Sequence, residues 1–257
     1  MEIIQIWMKV AIVAIAKDED PYIEEWIEYN LKCGFSKIYI YLNDWDYTTD
    51  SYMVETIKIN GPVQQMPAYR DFLMNYAKPY DWVAFFDIDE FIVLKKHNNI
   101  NHFVEDIASK FDTKQIGINW VFYGDNGIED FPEGTIGVLE RFTKRQILGD
   151  KHIKSIIKID DSLNPDNFFN PHHYHHTSTS PNGSVIEGPY SDDPDIEIAQ
   201  INHYFCKTKP EYEKKMARGR ADLPKTNPEY YRNWDLFNFT NKNEIEDLSA
   251  LTFYRKN

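Results

Sequence analysis

Between residues 10 and 90 the chain alternates continuous apolar, β-branched runs with stretches of helical periodicity. No other feature constrains its fold as strongly. The run Val10–Ala16 (VAIVAIA) is seven apolar residues between Lys9 and Lys17. That is the pattern of a parallel strand covered on both faces. Residues 20–34 then read as a helix: Asp20 suits the cap, Pro21 the first position and Gly34 the stop, while Ile23, Trp26, Ile27 and Leu31 share one face. A second strand is expected over 37–44, a helix near 48–59 and a short strand at 63–66. A further helix over 68–77 and a strand over 82–86 complete the series. Strand–helix alternation of this kind builds βαβ units, hence an α/β fold of Rossmann-like type, with a mixed, mostly parallel sheet flanked by helices. Ligands of such sheets bind at the carboxyl ends of the strands.

Past residue 100 the pattern loosens. A helix is expected over 100–111, strands over 115–124, 152–159 and 196–205, and a basic helix over 209–222. Loops rich in Asn, Pro, Gly and His fill 160–194, and no internal repeat appears. The 257 residues read as one domain over 9–247. Residues 1–8 read as an N-terminal extension and 248–257 as a C-terminal tail. Basic side chains number 28 and acidic ones 41, a formal net charge of −13. This balance excludes general nucleic-acid binding, which needs basic surface. It also means that a phosphorylated ligand would need a cation to bridge the repulsion. Cys33 and Cys206 fit no zinc spacing and need no pairing, so a reducing compartment is the expectation. Val10–Ala16 is too short to span a bilayer, and no cleavage pattern follows it.

The strand over 82–86 runs into an acidic knot, WVAFFDIDEF (82–91), holding Asp87, Asp89 and Glu90. Alternation along an extended segment would put Asp87 and Asp89 on one side and Glu90 on the other. Hard oxygen ligands on one side suit Mn²⁺ or Mg²⁺, with phosphate oxygens completing the shell. A calcium loop is excluded, because no glycine stands at its sixth position. A haloacid-type phosphotransferase uses Asp-x-Asp too, but after the first strand rather than the fourth. The second clue is INHYFCKTKPEYEKKMARGRAD (201–222), where His203 precedes Lys207, Lys209, Lys214, Lys215, Arg218 and Arg220. His203 suits a third metal ligand. Lys214 and Lys215 read as a solvated helix face. The PHHYHH cluster (171–176) has no zinc spacing, and one of its histidines is expected to line a pocket.

Taken together, AKDEDPYIEEWIEYNLKCGFSKIYIYLND, WVAFFDIDEF, VFYGDNG…PEGTIGVLERF, IKSIIK, NPHHY and INHYFCKTKPEYEKKMARGRAD follow the order of a glycosyltransferase family. Over residues 9 to 247 the chain resembles bacterial glycosyltransferase-2-like proteins related to glycosyltransferase family 92, the former domain of unknown function 23 group. The resemblance implies a GT-A fold with a nucleotide-binding half (9–90), an acceptor half (91–247) and a C-terminal helical segment. It implies hexosyl transfer, with UDP-galactose as the donor type, and Mn²⁺ (or Mg²⁺) held by Asp87, Asp89 and His203. It implies nucleotide-sugar contacts at Ala16, Lys17, Glu19, Asp44, Arg70, Asp87, Ile88 and Lys207, with Asp44 on uracil or ribose and Lys207 facing the diphosphate. The family often has Asn at position 18, Asn at 70 and Ser at 208, where this chain has Asp18, Arg70 and Thr208.

If transfer inverts the anomeric centre, a carboxylate must take the acceptor proton. Asp125 and Glu187 are the candidates, with Asp192 a third. Trp120 and Tyr123 are open to either sugar stacking or core packing. The expected acceptor is a glycan or lipid-linked glycan in surface polysaccharide or glycolipid synthesis. The expected location is cytoplasmic, with peripheral association at the inner face of the membrane. The competing readings are a non-catalytic sugar- or nucleotide-binding protein on the same fold, and an Asp-x-Asp phosphotransferase.

Overall fold

The computed structural model describes residues 8–131, 137–168, 170–174 and 177–257. The PEGTI stretch (132–136), His175, His176 and residues 1–7 lie outside the described residues. The chain begins β1 (Val10–Ala16), α1 (Ile23–Lys32) and β2 (Lys37–Asn43). β1 is buried on both faces, and its alternation assigns each residue to one of two cores. Val10, Ile12, Ala14 and Ala16 pack with Trp26 and Ile27 of α1. Ala11 and Val13 pack on the other side with Ala68, Tyr69 and Phe72 of α2 (Gln65–Asn75). Helix α1 starts later than its sequence suggests. The Tyr22 and Ile23 amides donate to the Glu19 carbonyl, and the Asp20 carboxylate accepts from Trp45 Nε1 at 3.2 Å instead of capping. It stops as expected, with Gly34 at φ +93° just past the last turn.

Two elements of the expected alternation change. Residues 48–59 hold no helix; Val54–Ile59 is β3, an edge strand parallel to β2. Its Val, Thr and two Ile residues favour a strand, and both faces are only partly covered, Val54 by one core and Ile57 and Ile59 by the other. The expected strand at 63–66 is instead the entry to α2, with Gln64 at the cap and Pro67 in the first turn, where a missing N–H costs nothing.

The remaining elements are β4 (Trp82–Phe85), β5 (Glu90–Leu94), α3 (Ile100–Phe111), β6 (Gln115–Phe122), α4 (Val138–Arg141), β7 (Lys144–Arg145), β8 (Ile153–Lys158), β9 (Ser178–Thr179), β10 (Val185–Ile186), β11 (Ala199–His203), α5 (Lys209–Arg218), α6 (Trp234–Thr240), β12 (Ile245–Glu246) and α7 (Ser249–Lys256). The main sheet runs β10-β9-β6-β8-β4-β1-β2-β3, and β11 joins it between β5 and β6. β3, β2, β1 and β4 are mutually parallel, and β8 is antiparallel to both β4 and β6. The fold is thus the expected mixed, mostly parallel α/β sheet flanked by helices. Register does the positioning: β11 sets His203 opposite Glu90 of β5 and Phe122 of β6. Among the described residues no helix is long and apolar enough to cross a membrane.

Candidate active site

The carboxyl ends of β1, β2 and β4 open into a cavity of about 840 Å³, roofed by α5 and the segment after it. β1 and the turn after it bring Ala16, Lys17 and Glu19 to the wall; β2 brings Asn43 and Asp44; the turn after β4 brings Asp87, Ile88 and Asp89. Lys17 Nζ lies 3.5 Å from Asp44 Oδ2, and Asp44 Oδ1 accepts the Gly61 amide at 3.0 Å. Asp18, Asp44 and Lys207 all take left-handed backbone, with φ of 52°, 48° and 52°. A non-glycine residue there is strained, and such strain gathers at functional sites.

The acidic knot is a turn, and this corrects the expected alternation. Asp87 and Glu90 do not point apart; they share one lysine. Lys154 Nζ, with a side chain wholly shielded from solvent, sits 2.9 Å from Asp87 Oδ2 and 3.3 Å from Glu90 Oε2. Glu90 Oε2 also accepts the Asp87 amide at 3.0 Å, and Gln65 Nε2 donates to Asp87 Oδ1 at 3.0 Å. Burial alone would discharge Lys154, but Asp87 and Glu90 outweigh it and hold the ammonium above the ordinary lysine range. Glu90 is raised by its burial, which Lys154 only partly offsets.

Asp89 faces a different set. Its Oδ2 accepts from Lys215 Nζ at 2.6 Å, and its Oδ1 lies 3.6 Å from His203 Nε2. The Tyr204 amide donates to the Asp89 carbonyl at 2.9 Å, which locks the end of β11 onto the turn. Burial pushes the Asp89 carboxyl up, but Lys215, His203 and Lys207 outweigh it and hold it well below the ordinary range. Burial lowers His203 against the pull of Asp89, so the imidazole is neutral. Burial likewise lowers Lys215 to about 8, which leaves it charged at neutral pH.

Lys215 therefore corrects a second expectation. It is no solvated helix residue but 8% exposed, whereas Lys214 does face solvent. Helix α5 is aimed by a capping box, in which the Thr208 hydroxyl and amide bond Glu211 Oε2 at 2.6 and 3.0 Å. Glu211 in turn makes a two-pronged pair with Arg141, 2.9 Å each, with both side chains almost fully buried. One turn beyond Lys215, Arg218 bonds Glu19 and the Lys17 carbonyl. Arg220 pairs with Asp222 at 2.9 and 2.6 Å, and Arg232 donates to the Gly219 carbonyl at 2.7 Å. The Arg232 Nε is buried with no partner, and burial followed by Arg220 and Arg218 lowers its pKa. Arg218 and Arg220 already have carboxylate partners, so it is Arg232 that an anion on this wall would relieve.

The far wall is aromatic. Trp120, 7% exposed, meets His203 at 4.3 Å between ring centroids, His152 at 4.7 Å and His172 at 5.0 Å. Trp120 thus faces the cavity, while Tyr123 is core, accepting from Asn202 at 3.0 Å. Of the histidine cluster, His172 is on the wall.

Of the residues proposed from sequence, Ala16, Lys17, Glu19, Asp44, Asp87, Ile88, Asp89 and His203 meet at the cavity. Lys207 lines a neighbouring cavity of about 540 Å³, its ammonium 4.2 Å from the centre of the Tyr22 ring. Arg70 turns to the Phe168 carbonyl at 2.8 Å and is off both walls. So is Asp125, whose carboxylate ties Gly127, Asn241 and Asn243 together at 2.9 to 3.1 Å. Glu187 and Asp192 are exposed and also line neither cavity. Sequence reasoning missed Lys154, Arg232, Gln65 and His152. Only Lys154 left a signal, a lone lysine inside the apolar run IKSII.

The donor set suits a hard cation in part. Among the described residues no three His, Cys, Asp or Glu side chains gather around one point. The Asp89 Oδ1 and His203 Nε2 pair, one ionised and one neutral, nonetheless supplies two ligands of the right chemistry. His203 Nδ1 is buried without a partner. Sites of this kind take one or two carboxylates and fill the rest of the shell with substrate phosphates and water.

In sequence the chain is similar to known proteins. The chain is 23% identical over 206 residues to a glycosyltransferase family 92 protein of Ricinus communis, covering 76% of this chain and 35% of that one. It is 23% identical over 213 residues to another of Arabidopsis thaliana, with the same shares covered. The chain thus spans about a third of the length of these curated relatives. Among solved structures, HddC from Yersinia pseudotuberculosis aligns over 79% of this chain and 96% of its own, at 12% identity and a TM-score of 0.37. That overlap is too loose to carry an argument. The model of glycosyltransferase family 92 matches residues 15–238, nearly the whole chain, and the protein belongs to that family.

Proposed function

We propose that the chain transfers a hexosyl group, galactose or a similar sugar, from a UDP-sugar to a glycan or lipid-linked glycan, with inversion at the anomeric carbon. One observation carries the reading. A single cavity at the strand ends gathers a nucleotide-sized wall (Lys17, Asn43, Asp44), a carboxylate–imidazole pair (Asp89, His203) and a cluster of Lys215, Arg218, Arg220 and Arg232 in an otherwise acidic protein.

Asp44 would accept from a uracil or ribose group, with Lys17 beside it at 3.5 Å. The guanidinium cluster faces the diphosphate and stabilises the charge that develops as it leaves. Asp89 and His203 would hold Mn²⁺ or Mg²⁺, whose chemistry there is neutralisation of a leaving diphosphate, while Asp87, held by Lys154, sets the turn that carries Asp89. Trp120, 7% exposed, backs this wall by holding the His152 and His203 rings.

The test is a panel of UDP-hexoses, scored by UDP release with Mn²⁺ and with a chelator. Metal-dependent release is expected, greatest with UDP-galactose. In Asp89→Asn it falls by about 10²-fold or more, with the circular dichroism spectrum retained. Turnover that survives this substitution unchanged removes Asp89 from the machinery.

A further inference from the structure

The aromatic wall also carries an acid–base pair. Asp150 and His152 lie in the segment that enters β8, and His152 Nδ1 is 2.6 Å from Asp150 Oδ1. The same oxygen takes the His152 amide at 2.9 Å. Asp150 is anchored on both sides: its amide donates to the Trp120 carbonyl at 2.7 Å, and its carbonyl accepts from Asn119 Nδ2 at 2.9 Å. The imidazole is clamped as well, stacked on Trp120 at 4.7 Å and 19°, with Tyr190 edge-on at 4.7 Å and 74°. Trp120 touches His203 on its way, so the pair stands one indole away from Asp89 and His203. His152 lines the same cavity and its side chain is 33% exposed, open to a ligand.

This arrangement has a definite proton inventory. With Nδ1–H donated to the carboxylate, the neutral ring carries its lone pair on Nε2. Among the described residues Nε2 makes no hydrogen bond. Burial pushes Asp150 up, but its bonds to His152 outweigh this and keep it ionised. His172, the neighbouring imidazole, is lowered by burial and then by Lys154, so it stays neutral beside His152. The other groups that face His152 are the Tyr190 phenol, His203 beyond Trp120, and Lys154 two residues on, whose charge Asp87 and Glu90 absorb.

We propose that Asp150 and His152 form the general-base dyad of the transfer, with His152 Nε2 taking the acceptor proton and Asp150 positioning the ring. The proposal rests on the sugar-transfer reading above. In the step, the acceptor hydroxyl oxygen bonds to the anomeric carbon as the bond from that carbon to the phosphate oxygen breaks. The electron pair leaves with the diphosphate, and the hydroxyl proton ends on Nε2, giving an imidazolium that Asp150 and the Trp120 face stabilise. Water takes the same route when no sugar acceptor is bound. Asp125 and Glu187, being off the wall, have no such access.

The experiment uses UDP-galactose hydrolysis, which needs no identified acceptor, beside the thermal shift given by UDP. His152→Ala is expected to lower kcat by about 10²- to 10⁴-fold, to leave the UDP shift in place, and to recover in part with added imidazole. Asp150→Asn is expected to lose less and to move the acid limb of kcat/KM to lower pH, because the imidazolium loses its counter-charge. Unchanged hydrolysis in His152→Ala, while Asp89→Asn is inactive, overturns the dyad and leaves the transferase reading standing. Loss of the UDP shift in both dyad variants also overturns it, since that marks a structural pair. An unsubstituted chain that turns over no UDP-hexose sinks the transferase reading, and the dyad with it.

Discussion

Asp87 and Asp89 are separated by one residue in one turn, yet they live in opposite surroundings. Asp87 belongs to a closed triad: Lys154, fully shielded, bridges it to the buried Glu90, and all three groups come from strands of the central sheet or their ends. Asp89 belongs to a set that is open in sequence rather than in exposure: its side chain is 11% exposed against 33% for Asp87, and it is gripped by Lys215 of α5 and His203 of β11, elements more than a hundred residues further on. The difference teaches that a knot of charge at a strand end can do two jobs. One carboxylate keys the turn to the sheet. The other is presented to a ligand by the C-terminal half. Lys154→Met is the severest way to break this contrast. It leaves two acids beside each other without their counter-ion, and removing one partner from a buried pair costs about 3–5 kcal/mol. For a chain of this size that is a fall of roughly 10 °C in Tm. Urea or thermal unfolding measures it, and a loss under about 1 kcal/mol would show that the triad does not hold the turn.

Behind the open side stands Glu211, which sharpens the comparison through pH. Burial raises its carboxyl, but the Arg141 and Thr208 hydrogen bonds outweigh it and bring it from 4.5 down to about 2. A folded pKa below the unfolded one stabilises the fold above about pH 4.5, and the gain is lost as pH falls towards 2. The displacement corresponds to about 3 kcal/mol. Glu211→Gln is therefore expected to flatten stability between pH 5 and 2 and to lower it at neutral pH, where the two-pronged ion pair with the buried Arg141 is lost. An unfolding midpoint with the same pH slope in both proteins would detach Glu211 from the support of α5.

The two sides also differ in how far they could be read from sequence. β1, α1 and β2 were legible because burial on both faces leaves continuous apolar runs and a clean helical stripe. β3 was not, because its apolar residues, Val54, Ile57 and Ile59, neither form a continuous run nor keep a spacing of two throughout. The start of α2 was masked by Pro67, which reads as a breaker although the first turn accepts it. At the site, Asp87, Asp89 and His203 declared themselves by residue type, and the register of β11 against β5 brings them together. The division of labour between the carboxylates stayed hidden. It depends on Lys154 and Lys215, and nothing local in sequence reveals that one helix lysine turns in to Asp89 while its neighbour, Lys214, faces water. His152 was equally silent, since its meaning comes from Trp120 on another strand.

The smallest of these effects isolates the ligand side from the fold. His203 has no hydrogen bond that fixes the turn: its Nε2 is 3.6 Å from Asp89 and its Nδ1 has no partner. The Asp89 turn is instead tied down by the Tyr204 amide and by Lys215, and both survive a change at position 203. His203→Ala removes an aromatic packing partner of Trp120 and Phe122, so its baseline stability falls whatever the imidazole's role. The informative quantity is therefore the further shift that Mn²⁺ adds to the UDP complex. If the imidazole is a ligand, the Mn²⁺ concentration needed for half of that shift rises by about 10- to 100-fold, equivalent to about 1.4–2.7 kcal/mol. Lys154→Met, compared at a temperature where it is folded, should leave that concentration nearly unchanged. Superimposable Mn²⁺ curves for the His203→Ala and unsubstituted proteins would merge the two carboxylates into one structural cluster, and the contrast between a closed and an open side would fall.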